Sequence, residues 1–138
     1  YLASKFEADA IKTVYPGLQS HPSHQLFTSM MNTEYGYGGM LTIDAGSLEK
    51  ANALMEALQQ NNVGYLAVSL GFYKTLFSAP GTSTSSEIPE EEQVEMGLSD
   101  GLIRFSIGLD NNIKRTYQTI KRCMKEVGVL ASSHFVSN

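Results

Sequence analysis

The sequence predicts an α+β sandwich, in which a mostly antiparallel sheet of about four strands carries helices on one face. Short runs of strand-favouring residues are mixed with longer stretches whose apolar residues recur at helical spacing. A passage around residue 70 indicates a strand, a turn and a second strand. With 138 residues and 42% hydrophobic content, the chain is long enough for one domain with a buried core.

The first half of the chain is predicted to run helix, strand, helix, strand, helix. Residues 1–10 indicate the end of a helix, and residues 13–15 a short strand that Pro16 and Gly17 stop. The segment 20–23 signals a helix start, and a second strand is expected at 40–43, before an N-cap at Ser47. The two following helices have apolar faces made of Leu26, Phe27, Met30 and Met31, and of Leu48, Ala51, Leu54, Met55 and Leu58. We expect the methionines at 30, 31, 55 and 124 to belong to the core.

The second half is predicted to run strand, strand, helix, strand, helix. Residues 65–68 indicate a buried strand, and a second strand is expected around 75–77. Residues 89–97 are acidic and indicate a short surface helix, and residues 101–109 form an apolar strand that contains Arg104. Asp110 is a candidate cap for the last helix. The apolar face of that helix is made of Ile113, Tyr117, Ile120, Met124 and Val127.

Composition argues against several classes of partner. The net charge is −4 and no cluster of lysine and arginine occurs, so we expect no binding to nucleic acid. No apolar run approaches the roughly 20 residues that cross a bilayer, so we expect no membrane association. The single cysteine, Cys123, lies in a helical pattern and suggests a reducing compartment, so the expected location is cytoplasmic. The start at Tyr1 suggests a piece of a longer protein.

Self-contained catalysis is not indicated by the motifs. No Gly-x-Ser-x-Gly turn surrounds any serine, and the histidines lie at a helix start or in the tail. His21 and His24 have helical spacing but lack an evident third ligand, so no metal site is predicted. The glycines between 36 and 39 precede a strand rather than a helix, which argues against a nucleotide loop.

The most informative single residue is Arg104, a permanent charge within an apolar strand. An unpaired buried charge is strongly unfavourable, so the guanidinium needs an anionic partner. The partner is either a structural carboxylate, with Asp100, Asp110 or a glutamate as candidates, or the carboxylate or phosphate of a ligand.

Several segments in order resemble motifs of the Cys/Met metabolism, or trans-sulfuration, family of pyridoxal-phosphate (PLP) enzymes. Residues 14–22 are similar to its Tyr-Pro-Gly-Leu-x-Ser-His-Pro segment, and residues 38–40 to its Gly-Gly-Met strand. Residues 68–71 match Val-Ser-Leu-Gly, and residues 97–108 are similar to Gly-Ile-x-Asp-Gly-Leu-Val-Arg-Leu-Ser-Val-Gly. Ser78, Pro80 and Thr84 fall on its Ser-His-Pro-x-x-x-Thr loop. The resemblance runs to about residue 129. It covers the small C-terminal domain of the family's enzymes, which have the PLP fold type I.

The resemblance implies roles for three residues. Arg104 would bind the α-carboxylate of an amino acid substrate, Ser69 would lie beside that carboxylate, and Thr84 would order the loop at the wall of the site. PLP is the implied cofactor, but the family's Schiff-base lysine belongs to the preceding large domain, and no Ser-x-Thr-Lys segment occurs here. The resemblance therefore implies no catalytic and no cofactor-binding residue in this chain, which should be inert alone, and a homotetramer for the complete enzyme.

Two departures from the family pattern bear on the substrate. Lys74 stands where many members have an acidic residue that would suit the distal ammonium of cystathionine, so the substrate is expected to carry an uncharged γ-substituent. The loop 81–86 is rich in hydroxyl groups instead of ending in Met-Thr-His, which leaves its role open.

The sequence thus predicts the C-terminal part of an enzyme that eliminates or replaces a group at the γ-carbon of a sulfur amino acid. Methionine γ-lyase-like chemistry comes first, with a homoserine-ester sulfhydrylase or a cystathionine γ-synthase or γ-lyase as alternatives. A stand-alone module that senses a carboxylate, and a structural domain with Arg104 in an internal ion pair, remain open. The expected organisation is an interdomain helix end at 1–10, the small domain at 11–130 and a flexible tail at 131–138.

Overall fold

The helices and strands of the protein follow each other as the sequence predicts, with one more strand in the sheet. The computed structural model describes residues 1–80, 89–95, 97 and 99–131. The tail from 132 onwards therefore lies outside the described residues. The helices are α1 Leu2–Ala8, α2 His24–Met30, α3 Leu48–Gln60, α4 Glu90–Glu95 and α5 Ile113–Glu126. The strands are β1 Thr13–Val14, β2 Met40–Asp44, β3 Tyr65–Leu66, β4 Leu76–Ser78 and β5 Leu102–Ser106.

In the described part of the chain, five strands form one sheet in the order β1-β2-β5-β4-β3. All neighbours are antiparallel except β3 and β4, which are parallel. This confirms the α+β class and the mostly antiparallel sheet. Because β3 and β4 run in the same direction, the chain between them, residues 67–75, must return along the sheet. We call this stretch the crossover segment.

The core lies between the sheet and the helices α1, α3 and α5. Alternation along β5 places Ile103 and Phe105, both fully buried, on the helix side of the sheet. Ser47 caps α3 as predicted, since its hydroxyl accepts a hydrogen bond from the Lys50 N–H. Asp110 is not the N-cap of α5, because the helix begins only at Ile113. Asn112 has that role, and Asp110 accepts hydrogen bonds from the Asn112 N–H and the Thr116 hydroxyl.

Two expectations about burial are wrong. Helix α2 contributes no buried residue, and Leu26 and Met30 are 60% and 72% exposed, whereas Met55 and Met124 do lie in the core. The reason is that α2 rests on an aromatic contact instead of the sheet: the His24 ring stacks on Tyr37 at 5.2 Å.

Strand β3 is the second correction. It has only two residues, and Tyr65 and Leu66 are both 44% exposed. It lies at the edge of the sheet, next to β4 alone. A short apolar run is equally compatible with a buried and an edge strand, so periodicity does not separate the two cases.

No helix in the described ranges combines the length and the apolar character needed to cross a membrane. The single cysteine, Cys123, is buried in the core as a free thiol.

Helix α1 is tied to α5 by an ionic contact that gives a testable pH dependence. The Asp9 carboxylate accepts hydrogen bonds from the Tyr117 hydroxyl and the Lys121 ammonium. Burial alone would raise the pKa of Asp9, but the hydrogen bonds from Lys121 and Tyr117 outweigh it, and the pKa is lowered. The pKa of Lys121 is raised, chiefly by its hydrogen bond to Asp9.

We expect the Asp9→Asn variant to melt at a lower temperature than the wild type at neutral pH. The folded-state pKa of Asp9 is depressed, so its contribution is present above the unfolded value of about 3.9 and is lost as the pH falls through the folded value. The difference in melting temperature should therefore narrow from about pH 5 towards pH 3. A difference that stays constant over this range would show that the carboxylate charge does not matter.

Candidate functional site

Arg104 lies in the middle of the sheet, on the face that the helices do not cover. It pairs with Thr42 of β2 on one side and with Ser78 of β4 on the other. Because side chains alternate along a strand, Arg104 points away from the face that carries Ile103 and Phe105. Three hydrogen-bonded strands thus hold its backbone rigidly, which suits a residue that must present a fixed donor geometry.

The guanidinium of Arg104 is held by main-chain oxygens of the crossover segment. Nη2 donates hydrogen bonds to the carbonyl of Val68 at 2.7 Å and to that of Ser69 at 3.0 Å. Nε is buried and has no hydrogen-bond partner among the residues that the structure describes. These contacts orient the side chain, but carbonyl oxygens carry no formal charge, so the positive charge of Arg104 is not neutralised by them.

No acidic side chain pairs with Arg104 among the residues that the structure describes. The ion pairs found there join Lys12 to Asp44, Lys121 to Asp9 and Arg122 to Glu126. Asp110, one candidate for a structural pair, is used at the start of α5. Within the described ranges, the structure therefore gives no support to an internal ion pair.

The crossover segment is fastened to β5 and the residues that follow it at several points. The Gly71 N–H donates to the buried hydroxyl of Ser106 at 3.0 Å. The Leu109 N–H donates to the Tyr73 carbonyl at 2.8 Å, and the Gly108 N–H to the Thr75 hydroxyl at 3.0 Å. A side chain at Gly108 would overlap the backbone of Tyr73 and Lys74, so the close approach requires glycine there.

Two of the three predicted substrate-binding residues are brought together, and the third is not covered. Ser69 is exposed and lies next to Arg104, which it contacts through its main-chain carbonyl. Thr84, with the whole hydroxyl-rich loop 81–86, lies outside the described residues.

Lys74 is held at the sheet edge, away from the contacts of Arg104. Its ammonium donates to the Tyr65 hydroxyl at 2.9 Å and lies over the rings of Tyr65 and Tyr73. The hydrogen bond to Tyr65 raises the pKa of Lys74, so the amine is charged at neutral pH. The Lys74 backbone adjoins Gly108, which lies two residues beyond the end of β5 and four residues after Arg104 in the sequence.

His21 and His24 have structural contacts near the start of α2. His21 Nδ1 accepts the Ser23 N–H, and His24 Nδ1 lies 2.8 Å from the Pro16 carbonyl. A search over the described ranges finds no group of three or more side chains able to hold a metal ion.

A cleft of about 1100 Å³ lies elsewhere on the surface: it is lined by Lys74, Arg115 and Arg122 among others, and not by Arg104. Several large apolar residues of the crossover segment are exposed beside Arg104, namely Val68, Leu70, Phe72 and Tyr73. An exposed apolar group of this kind is typical of a surface that another protein region covers.

Sequence reasoning missed the main-chain carbonyls of Val68 and Ser69 and the hydroxyl of Ser106. A partial signal was present for Ser106, because it follows Arg104 by two residues on the same face of a predicted strand. The carbonyls carry no side-chain signal.

Comparisons with known proteins identify the family of this chain. The chain matches the family model described as "Cys/Met metabolism PLP-dependent enzyme" over residues 1–125. It is 45% identical over 113 residues to a methionine gamma-lyase of Arabidopsis thaliana, which covers 81% of this chain and 26% of that protein.

Solved structures of enzymes named for the same kind of chemistry share the fold of this chain. A cystathionine gamma-lyase from yeast has a TM-score of 0.79 at 27% identity, covering 92% of this chain and 32% of that one. A putative O-acetylhomoserine (thiol)-lyase from Campylobacter jejuni, with N'-pyridoxyl-lysine-5'-monophosphate, has a TM-score of 0.75 at 29% identity, covering 90% and 30%. The chain thus spans about a quarter of the length of the curated relatives it matches. On the family model, the sequence identity and the shared fold, this chain belongs to the Cys/Met metabolism family of PLP-dependent enzymes.

Proposed function

We propose that this chain forms the substrate-carboxylate side of the active site in a PLP-dependent enzyme that acts at the γ-carbon of a sulfur amino acid. The observation that carries the proposal is Arg104: a charge fixed on a rigid strand, oriented by two carbonyls and without an acidic partner in the described residues. A carboxylate supplies the missing negative charge.

The role of Arg104 follows from the geometry of a guanidinium. Nη2 uses its two N–H groups on Val68 and Ser69, so the N–H groups of Nη1 and Nε are the ones left to donate to a carboxylate. Holding that group fixes the rotation of the substrate about its Cα, and thereby which bond at Cα is presented for cleavage. PLP, when bound, supplies the electron sink that takes up the electrons released at Cα.

The described residues do not by themselves fit a PLP site. A Schiff base needs a lysine amine at the site, and the lysine of the crossover segment, Lys74, is instead hydrogen-bonded to Tyr65. We therefore propose that the cofactor is held by a region corresponding to the rest of the relatives' length, and that the isolated chain is inert. The exposed apolar residues around Arg104 support a covering surface of this kind. We propose a homotetramer for the complete enzyme, as the resemblance implies.

Methionine γ-lyase-like chemistry is the favoured reaction. Lys74, near the end of the crossover segment, is positively charged and would repel a substrate whose distal ammonium extends towards it, such as cystathionine. Methionine has no second charge. The similarity to a protein named methionine gamma-lyase supports the same choice.

The test is formation of 2-oxobutanoate, the product that γ-elimination yields from each substrate, by the complete enzyme supplied with PLP and given methionine, an acylated homoserine or cystathionine. We expect 2-oxobutanoate and a thiol from methionine, little reaction with cystathionine, and no reaction with the isolated chain. Preferred turnover of cystathionine would contradict the substrate assignment. A rise in melting temperature of the isolated chain with increasing amino acid concentration would favour a stand-alone sensor instead.

A further inference from the structure

Besides Arg104 itself, the hydroxyl of Ser106 is the side-chain group of β5 that binds the crossover segment in the described structure. Ser106 is only 4% exposed and follows Arg104 by two residues, on the same face of the strand. Its Oγ accepts the Gly71 N–H at 3.0 Å. Gly71 has a positive φ of 72°, a conformation that favours glycine, and this turn brings its N–H towards the sheet.

Arg104 and Ser106, both on β5, therefore form hydrogen bonds with the same short stretch of the crossover segment, residues 68–71. Arg104 holds the stretch through the carbonyls of Val68 and Ser69, and Ser106 holds it two residues later at Gly71. On one side of these carbonyls, the Ala67 N–H donates to the Phe77 carbonyl of β4 at 3.1 Å. On the other side, the hydrogen bond to Ser106 holds the segment at Gly71. The two acceptors of Arg104 lie between these two fixed points, so the bond to Ser106 contributes to where they lie.

We propose that Ser106 is a positioning residue for substrate recognition: its hydroxyl fixes the crossover segment, and the segment in turn fixes the guanidinium of Arg104 for the α-carboxylate. This inference rests on the proposed function of Arg104. It predicts that loss of the hydroxyl weakens binding of ligands with an α-carboxylate and leaves binding of matched ligands without one unchanged.

The chain offers a matched control in Thr75. Its hydroxyl accepts the Gly108 N–H at 3.0 Å, so it makes the same kind of bond between the crossover segment and the end of β5. It lies at the far end of the segment, next to β4 and six residues from Ser69. If the whole crossover segment simply became more mobile, Thr75→Val and Ser106→Ala would have the same effect. If the position of the segment near Arg104 matters, only Ser106→Ala would weaken carboxylate binding.

The experiment measures inhibition constants of norleucine and pentylamine with the complete PLP-loaded enzyme. The two molecules differ only in the carboxylate. We expect Ser106→Ala to raise the inhibition constant of norleucine roughly three- to tenfold, the effect of one neutral hydrogen bond. The inhibition constant of pentylamine with this variant should stay within about twofold of the wild type. With Thr75→Val, the inhibition constants of both ligands should stay within about twofold. Should Ser106→Ala not fold, Ser106→Cys, which has a weak acceptor of similar size, is expected to give a smaller loss in the same direction.

Equal weakening of both ligands, no weakening, or the same loss in Thr75→Val would overturn the inference. Arg104→Ala, measured in parallel, separates this failure from failure of the proposed function. If Arg104→Ala weakens the binding of norleucine but not of pentylamine, and Ser106→Ala does not, only the positioning role is wrong. If Arg104→Ala weakens both ligands equally or neither, the proposed function is wrong.

Discussion

Replacing Arg104 with alanine in the complete enzyme is expected to lower kcat/KM for methionine by roughly 30- to 700-fold, which corresponds to about 2–4 kcal/mol. The guanidinium supplies a positive charge and N–H donors to the α-carboxylate, and none of the ion pairs in the described structure neutralises it. KM should rise strongly, because the contact is made already in the bound ground state. Part of the loss should fall on kcat, since a poorly held substrate presents its Cα bonds in several orientations.

The matched control is Arg104→Lys, which keeps the charge but loses the planar pair of donors. We expect it to retain part of the binding and to fall between the wild type and the alanine variant. Unchanged kinetics in Arg104→Ala would contradict the carboxylate role. Melting temperatures of all three proteins show whether the losses come from unfolding.

Phe105→Ala is expected to have the largest effect on stability. The Phe105 side chain is fully buried in the core and packs on Phe77, with the ring centroids 5.9 Å apart. Truncation leaves a cavity between the sheet and the helices, and changes of this kind lower the free energy of unfolding by about 3–5 kcal/mol. Urea unfolding followed by circular dichroism gives this value.

The control for Phe105 is its neighbour on the opposite face. Arg104→Ala removes a side chain of β5 that does not enter the core, so its free energy of unfolding should change far less than that of Phe105→Ala. Phe105→Leu, which fills most of the volume, should lie closer to the wild type. A loss below about 1 kcal/mol for Phe105→Ala would show that the core does not depend on this ring.

The fold was predictable where sequence patterns and packing agree. The apolar residues of α5 recur at helical spacing, and those of the strand around Arg104 are typical of a β-strand. The helix cap at Ser47 and the mostly antiparallel sheet were also predicted from the sequence. Helix α2 was predictable as a helix but not as an exposed one, since its apolar face at Leu26 and Met30 resembles a core-facing stripe. Periodicity identifies an apolar face but not what covers it.

The candidate site was predictable in its side chains and not in its main-chain contacts. A charged residue in an apolar strand indicated Arg104, and the family motifs indicated Ser69 as its neighbour. The geometry that joins them depends on the parallel pairing of β3 and β4, which sends the crossover segment over β5. Strand direction is decided by tertiary packing, so no local pattern around residues 65–78 specified it.

The most direct test of the account is the binding of norleucine and pentylamine to the wild type and to Arg104→Ala. The ratio of the two inhibition constants isolates the carboxylate, and its change on mutation isolates the contact with Arg104. We predict that Arg104→Ala weakens norleucine by roughly 30-fold or more and alters pentylamine by less than about twofold. Equal changes for both ligands would show that Arg104 does not recognise the carboxylate.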